Sequence, residues 1–317
     1  MPDDSDKNEF KLSAELSGHS KDVRCLTETI YPPDGLISGS RDGTIRLWHR
    51  EGGIYRQYHT LSGQHVGFVS TLLTAPGHGQ YPLGRIYSGG QDKMIRMYTS
   101  DPPEHIWTLE GHKDTVCTLA YDPVSGLLIS GSWDKTARIW RDQDCVSILS
   151  GHEAAVWAVA VVPSKEPISS NCKVLTASAD KFIHLWVNST ITKTFNGHTD
   201  CVRALAVISD SQFLSCANDA LVKQWDIATA TCVRNFIGHE HYIYCISLLS
   251  TANEFVTGSE DRTFRVWSLA QPKSPEEEDL VKPQQQVVKL PAQSVWAVLG
   301  MANGDVVCGS RSVTYFL

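Results

Sequence analysis

One block of residues recurs along the chain and constrains its fold more than any other feature. A Gly-His pair opens it and β-rich segments follow. A Ser or Thr then stands four residues ahead of an Asp, with an aromatic side chain six residues beyond that Asp. SGHSKDVRCL leads to LISGSRDGTIRLW, EGHKDTVCTL to LISGSWDKTARIW, SGHEAAVWAV to VLTASADKFIHLW, NGHTDCVRAL to FLSCANDALVKQW and GHEHYIYCI to FVTGSEDRTFRVW. The second copy, SGQHVGFVSTL with IYSGGQDKMIRMY, carries Gln64 where the glycine belongs. A seventh, LPAQSVWAV with VVCGSRSVTYFL, keeps the strand pattern and loses the signature residues. His19, His65, His112, His152, His198 and His239, with Pro291 in the seventh place, stand 40 to 52 residues apart. A period of that size decides the architecture before any single element is assigned.

The spacing and the GH…WD signature are those of WD repeats, and seven of them tile the chain. The expected fold is therefore all-β, a seven-bladed β-propeller. Each block holds short runs of β-branched and aromatic residues between Gly/Asp/Asn turns, the pattern of a four-stranded meander. A ring of small sheets also removes most exposed strand edges. The last blade lacks a fourth strand, because Leu317 aligns with the end of a third one. Phe10 to Leu16 (FKLSAEL) is an orphan strand that resembles EHIWTLE and TITKTFN, so the N-terminal strand is expected to complete the last blade and close the ring. The expected boundaries are a polar tail over 1–9 and a propeller over 10–317, with an acidic, solvated loop insertion over 271–286.

Composition removes several function classes. The net charge of −7 leaves no basic face suited to nucleic acid or an anionic membrane. The longest apolar run, Ala154 to Val162, is about half a membrane-spanning helix. The start, MPDDSDKNEF, has no apolar segment of the kind a secretory signal needs. Nine cysteines without a C-x-x-C pair read as reduced thiols rather than disulfides or a zinc site. No metal or cofactor is expected, and no P-loop, G-x-S-x-G or H-E-x-x-H is present.

The Ser/His/Asp sets resemble nucleophilic triads. The first, third, fourth, fifth and sixth are His19/Ser38/Asp42/Trp48, His112/Ser130/Asp134/Trp140, His152/Thr176/Asp180/Trp186, His198/Ser215/Asp219/Trp225 and His239/Thr257/Asp261/Trp267. The second is His65/Ser88/Asp92/Tyr98. Six copies of one catalytic centre serve no purpose, whereas a repeat needs six copies of a structural device. An Asp in a tight turn accepts from backbone N–H groups and the imidazole, the imidazole bonds the hydroxyl, and the indole N–H closes the chain. These residues are read as structural tetrads and the protein as a non-enzyme. Blade seven has Pro291, Val307, Arg311 and Leu317 at these places and is expected to open most easily.

The informative positions are those the repeat leaves free at the channel mouth. Residues just before each turn Asp include Arg41 and Trp133. Residues five after each histidine include Arg24, Trp157, Arg203, Tyr244 and Trp296, and those two before them include Asp22, Phe68 and Tyr242. Trp, Tyr and Arg gathered on an exposed face are the usual anchors of a protein interface. The plainer alternatives are that Trp157 and Trp296 plug the channel, or that Arg–Trp pairs hold the mouth together.

Several stretches go beyond a generic repeat: LISGSWDKTARIW, GHEAAVWAV, GHTDCVRALAV, FLSCANDALVKQW, GHEHYIYCIS, KLPAQSVWAV and the early Tyr31-Pro32-Pro33. Over essentially its whole length the chain resembles the N-terminal propeller of the phospholipase A2-activating protein family, which includes the fungal ubiquitin-homeostasis factors of the Doa/Ufd type. The resemblance implies a ubiquitin-binding adaptor acting in ubiquitin recycling and degradation with an AAA ATPase of the valosin-containing-protein type. It also implies cytoplasmic and nuclear residence. In the family ubiquitin docks on the upper face, which carries binding here to Trp133, Trp157, Tyr242, Tyr244, Trp296 and Phe68, with Arg24, Arg41, Asp22 and Arg203 around them. The family's ATPase-binding domain is not within these 317 residues, so the ATPase is expected to be met through domains outside this chain. Two other classes stand beside this one: a scaffold docking a different protein on the same face, and an enzyme using one tetrad.

Overall fold

The structure, a computed structural model, describes residues 10–163, 172–250, 253–270 and 284–316. These form 28 strands in seven four-stranded antiparallel sheets, with no helix among the described residues. The chain opens with β1 (Leu12–Leu16). Blade one is β2 (Val23–Glu28), β3 (Leu36–Ser40), β4 (Ile45–Glu51) and β5 (Ile54–Leu61). Blade two is β6 (Val69–Ala75), β7 (Arg85–Gly90), β8 (Ile95–Thr99) and β9 (His105–Leu109). Blade three is β10 (Val116–Asp122), β11 (Leu127–Ser132), β12 (Thr136–Arg141) and β13 (Asp144–Ser150). Blade four is β14 (Val156–Val162), β15 (Lys173–Ser178), β16 (Ile183–Val187) and β17 (Thr190–Phe195). Blade five is β18 (Val202–Val207), β19 (Gln212–Ala217), β20 (Leu221–Asp226) and β21 (Thr231–Ile237). Blade six is β22 (Ile243–Leu248), β23 (Glu254–Ser259), β24 (Thr263–Ser268) and β25 (Gln284–Lys289).

Blade seven closes the circle. Its order is β26 (Ala297–Gly300), β27 (Val306–Gly309), β28 (Val313–Phe316) and then β1, which runs antiparallel to β28 with Leu16 opposite Val313. The expected closure by the N-terminal strand is therefore found. The Gln286 side chain adds a tie, accepting from the Phe10 N–H at 2.8 Å and donating to its carbonyl at 2.9 Å. The tail over 1–9, residues 271–283 of the expected insertion and Leu317 lie outside the described residues. Residues 284–286 belong to β25.

The burial of each strand follows its place in the ring. Second strands such as β3 and β11 are buried along their whole length, as strands covered on both faces require. Outer strands such as β13 are mostly exposed. First strands form the inner ring, each touching the first strand of both neighbouring blades. The hydrophobic core is divided into seven clusters, each between two adjacent blades. One joins Leu16, Trp48 and Tyr315 across blades seven and one, and another joins Phe264, Val298 and Phe316 across blades six and seven.

Pairing corrects the alignment of blade seven. Gly309 lies opposite Val313 and Cys308 opposite Thr314, as Gly39 lies opposite Ile45 and Ser38 opposite Arg46. The turn between β27 and β28 is two residues shorter than its counterparts. The hydroxyl and indole places are therefore held by the fully buried Cys308 and Phe316, rather than by Val307 and Leu317. Two apolar side chains fill the space that a polar network occupies elsewhere.

Candidate functional site

Hydrogen bonds join the His, Asp, hydroxyl and Trp side chains of five blades. The Nδ1 atoms of His19, His112, His152, His198 and His239 lie 2.7–3.0 Å from the carboxylates of Asp42, Asp134, Asp180, Asp219 and Asp261. Their Nε2 atoms lie 2.7–2.8 Å from the hydroxyls of Ser38, Ser130, Thr176, Ser215 and Thr257. Trp48, Trp140, Trp186, Trp225 and Trp267 donate their indole N–H to the same hydroxyls at 2.7–2.9 Å. A hydroxyl that accepts from the indole spends its own proton on Nε2, which leaves Nδ1–H to donate to the carboxylate. In blade two, His65 bonds Asp92 and Ser88, and the Ser88 hydroxyl reaches the Tyr98 oxygen at 3.3 Å. All six hydroxyl residues are fully buried. Each hydroxyl is buried and engaged on both sides, as a network that holds a turn requires.

A different device builds the channel mouth. In each of blades one to six the pairing of the first two strands slips by one residue near the start of the first strand. The extra residue is Arg24, Ser70, Cys117, Trp157, Arg203 or Tyr244. A bulge leaves its residue outside the ladder and re-aims the side chain. Here all six line one cavity of roughly 90 Å³, completed by Phe68, Trp133 and Trp296. Every blade contributes to its wall.

The expected residues form a continuous chain of ring and guanidinium contacts. Phe68 lies 6.3 Å from Trp133, and Trp133 lies 5.3 Å from Trp157. Arg203 covers Trp157 at 4.1 Å and reaches Tyr244 at 5.4 Å. Tyr244 stacks on Trp296 at 4.3 Å, and Arg24 covers the Trp296 ring at 3.9 Å. Arg41 approaches Trp296 at 5.5 Å and pairs with Asp22 at 3.5 Å on the exposed rim. Tyr242 is exposed outside the cavity lining. Arg–Trp pairing within the mouth is thus present, and the cavity aromatics are half-buried rather than a bare platform. The bulge was not anticipated from sequence, although each bulged residue is flanked by an apolar residue at the strand start.

Charge at the mouth is positive. Burial, then the charges of Arg41 and Arg203, lowers the Arg24 pKa to about 10, so it remains a cation near neutrality. Burial and the neighbouring Glu260 raise the Tyr244 hydroxyl, which stays protonated. Among the described residues no cluster of His, Cys, Asp and Glu could hold a metal ion, and no helix is long and apolar enough to cross a membrane.

Fold and tetrads together define a WD-repeat β-propeller. The WD domain, G-beta repeat pattern matches residues 10–49, 103–141, 143–187, 189–226 and 230–268. The unmatched stretches 50–102 and 269–317 hold three of the four strands of blade two, where Tyr98 replaces the indole, and three of the four of blade seven, where the tetrad is absent. The phospholipase A-2-activating protein of Xenopus laevis is 39% identical over 159 residues, covering 49% of this chain and 20% of its own length. The ubiquitin homeostasis protein lub1 of Schizosaccharomyces pombe is 34% identical over 304 residues, covering 95% of this chain and 38% of its own. The crystal structure of the WD40 beta propeller domain of Doa1 matches with a TM-score of 0.80 and 38% identity, covering 98% of this chain and 97% of that one. The chain belongs to the WD domain, G-beta repeat family and, within it, to the propellers of the phospholipase A-2-activating protein and Doa1 type. It spans well under half the length of the two full-length relatives above.

Proposed function

We propose that this propeller binds ubiquitin or ubiquitinated proteins at its channel mouth, as a non-catalytic adaptor in ubiquitin homeostasis and ubiquitin-dependent degradation. The observation that carries the reading is the convergence of Trp133, Trp157, Tyr244 and Trp296 with Arg24 and Arg203 on one cavity walled by all seven blades. Half-buried aromatics beside exposed Tyr242 and Arg41 give a contact patch with an apolar centre and a polar rim, the anatomy of a protein interface. The relative named for ubiquitin homeostasis supplies the partner class. A patch this small fits an affinity in roughly the micromolar range or weaker. An AAA ATPase of the valosin-containing-protein type would be met through segments outside this chain, in cytoplasm and nucleus.

The test is a titration of isotope-labelled ubiquitin followed by NMR. Saturable shifts confined to one ubiquitin face, lost on Trp157→Ala with the fold intact, are the expected result. Absence of shifts at several hundred micromolar protein overturns the reading and leaves a scaffold for another partner.

A further inference from the structure

Two of the residues that line the mouth cavity carry a buried hydrogen-bond donor with no acceptor, the Nη1 of Arg24 and the indole Nε1 of Trp133. Orphaned buried donors are uncommon, and each one asks what satisfies it. Charge poses the same question. Arg24 and Arg203 both line the cavity, and neither has a carboxylate at ion-pair distance among the described residues. Arg203 is held instead by its Nε–H to the Asn218 side-chain oxygen at 2.9 Å. At the rim Asp22 pairs with Arg41, and both of their charges also act on Arg24.

The aromatic walls do not make this a cage for a cation. Trp296 and Trp157 already have a guanidinium over their rings, at 3.9 and 4.1 Å. A methylated lysine or other ammonium would meet occupied faces and like charge. What the lining lacks is a carboxylate of its own: Asp22 is paired with Arg41 at the rim, and Glu260 stands beside the Tyr244 hydroxyl. Its wall takes a residue from every blade, so no chain can run through it sideways. An occupant enters along the channel axis, as a side chain or a chain end.

We propose that the channel mouth contains a subsite for a carboxylate, presented by an Asp or Glu side chain of the bound protein to Arg24, Arg203 and the Trp133 indole. The proposal deepens, and rests on, the reading that this face takes a protein partner. A carboxylate brings acceptor oxygens to a lining that holds two orphaned donors, and negative charge to two arginines without a carboxylate at ion-pair distance. Bonds from a guanidinium to a carboxylate are among the stronger hydrogen bonds available. Aromatic walls that exclude water strengthen them further.

The experiment uses the full chain labelled with ¹⁵N at its tryptophan indoles and no ubiquitin. The probes are N-acetylglutamate N′-methylamide, its glutamine counterpart and N-acetylglycylglycine. The Trp133 indole resonance is assigned through Trp133→Phe, and the five tetrad indoles report the fold in the same spectrum. The glutamate probe is expected to shift the Trp133 resonance saturably, with a dissociation constant of about 10 mM. Arg24→Gln, or Arg203→Gln where the first fails to fold, is expected to weaken it about tenfold. The glutamine probe is expected to leave the resonance in place. An equal response to glutamine, no response to glutamate, or an undiminished response in the folded variants overturns the subsite. A response to N-acetylglycylglycine alone overturns the side-chain source in favour of a chain terminus. Because ubiquitin is absent from the tube, failure here with ubiquitin binding intact removes only the subsite. A carboxylate response without ubiquitin binding removes only the choice of partner.

Discussion

The Arg24 guanidinium lies 3.9 Å from the centroid of the Trp296 ring, and Trp296 stacks on Tyr244 at 4.3 Å. Blades one, seven and six are thereby linked at the mouth, on either side of the blade in which β1 closes the ring. A cation–π pair with little access to water contributes about 1–2 kcal/mol. A double-mutant cycle of Arg24→Met and Trp296→Leu, read by urea unfolding, is expected to return a coupling of about that size. Additive effects would mean that the two groups are neighbours without being partners.

The tetrads make a contrasting expectation. Ser130→Ala removes the acceptor of the Trp140 indole N–H and the donor to His112 Nε2 at once, inside a site without exposure. The expected loss is about 1–3 kcal/mol, because both partners stay buried and unpaired. Blade seven should respond in the opposite chemical sense. Cys308→Ser places a hydroxyl where Phe316 offers no donor and no imidazole is present, so it is expected to destabilise by about 1 kcal/mol or more. Thermal unfolding of both variants beside the parent checks the pair, and a neutral Cys308→Ser would show that the site supplies a partner after all.

The two sites differ in how much of them was legible in the sequence. Each tetrad was readable because its four residue types recur at nearly fixed spacing and each type has one job in the hydrogen-bond chain. The mouth residues were also locatable, since they occupy repeat positions that the tetrads leave free. What spacing could not supply is the bulge that turns Arg24, Trp157 and Tyr244 inward, because a slip of one residue is a property of two paired strands. The same limit misplaced blade seven, where a turn two residues shorter moved the hydroxyl place from Val307 to Cys308. Nor does sequence reveal that Arg24 and Arg203 spend their charge on aromatic faces instead of carboxylates.

Acid should weaken the fold in two steps. Burial opposes the Asp42 carboxylate, but hydrogen bonds from the Thr44 hydroxyl and from the Ser20 and Thr44 backbone N–H groups outweigh it. They lower its pKa from the ordinary 3.8 to about 2. A pKa depressed on folding gives stability that is complete above about pH 4 and lost as pH falls through that range toward 2. Burial also lowers His19, His65 and His239 below the ordinary 6.5. The unfolded chain then takes up these protons first, so their contribution is complete above about pH 6.5 and declines below it. The urea midpoint is expected to be level above about pH 7, to fall gently below 6.5 and to fall steeply below 4. A midpoint that rises between about pH 6.5 and 5 would mean the imidazoles are stabilised as cations in the folded state.

Ring closure rests on a short strand whose loss should be felt locally before it is felt globally. β1 covers the outer edge of β28, Leu16 is buried in the core shared by blades seven and one, and Phe10 is tied to Gln286 of blade six. Removing residues 1–16 leaves β28 with unpaired backbone groups, an edge open to solvent or to other chains. Amide exchange over Val306–Phe316 is expected to accelerate while blades three and four, complete within themselves, keep their protection. Leu16→Asp should act in the same direction without truncation, because it sets a carboxylate among Val313, Tyr315 and Trp48 with no partner. Equal protection of blade seven in the parent and both variants would show that the circle is held by the inner strands alone. Uniform loss across every blade would show that the propeller opens as one unit instead of at its closure.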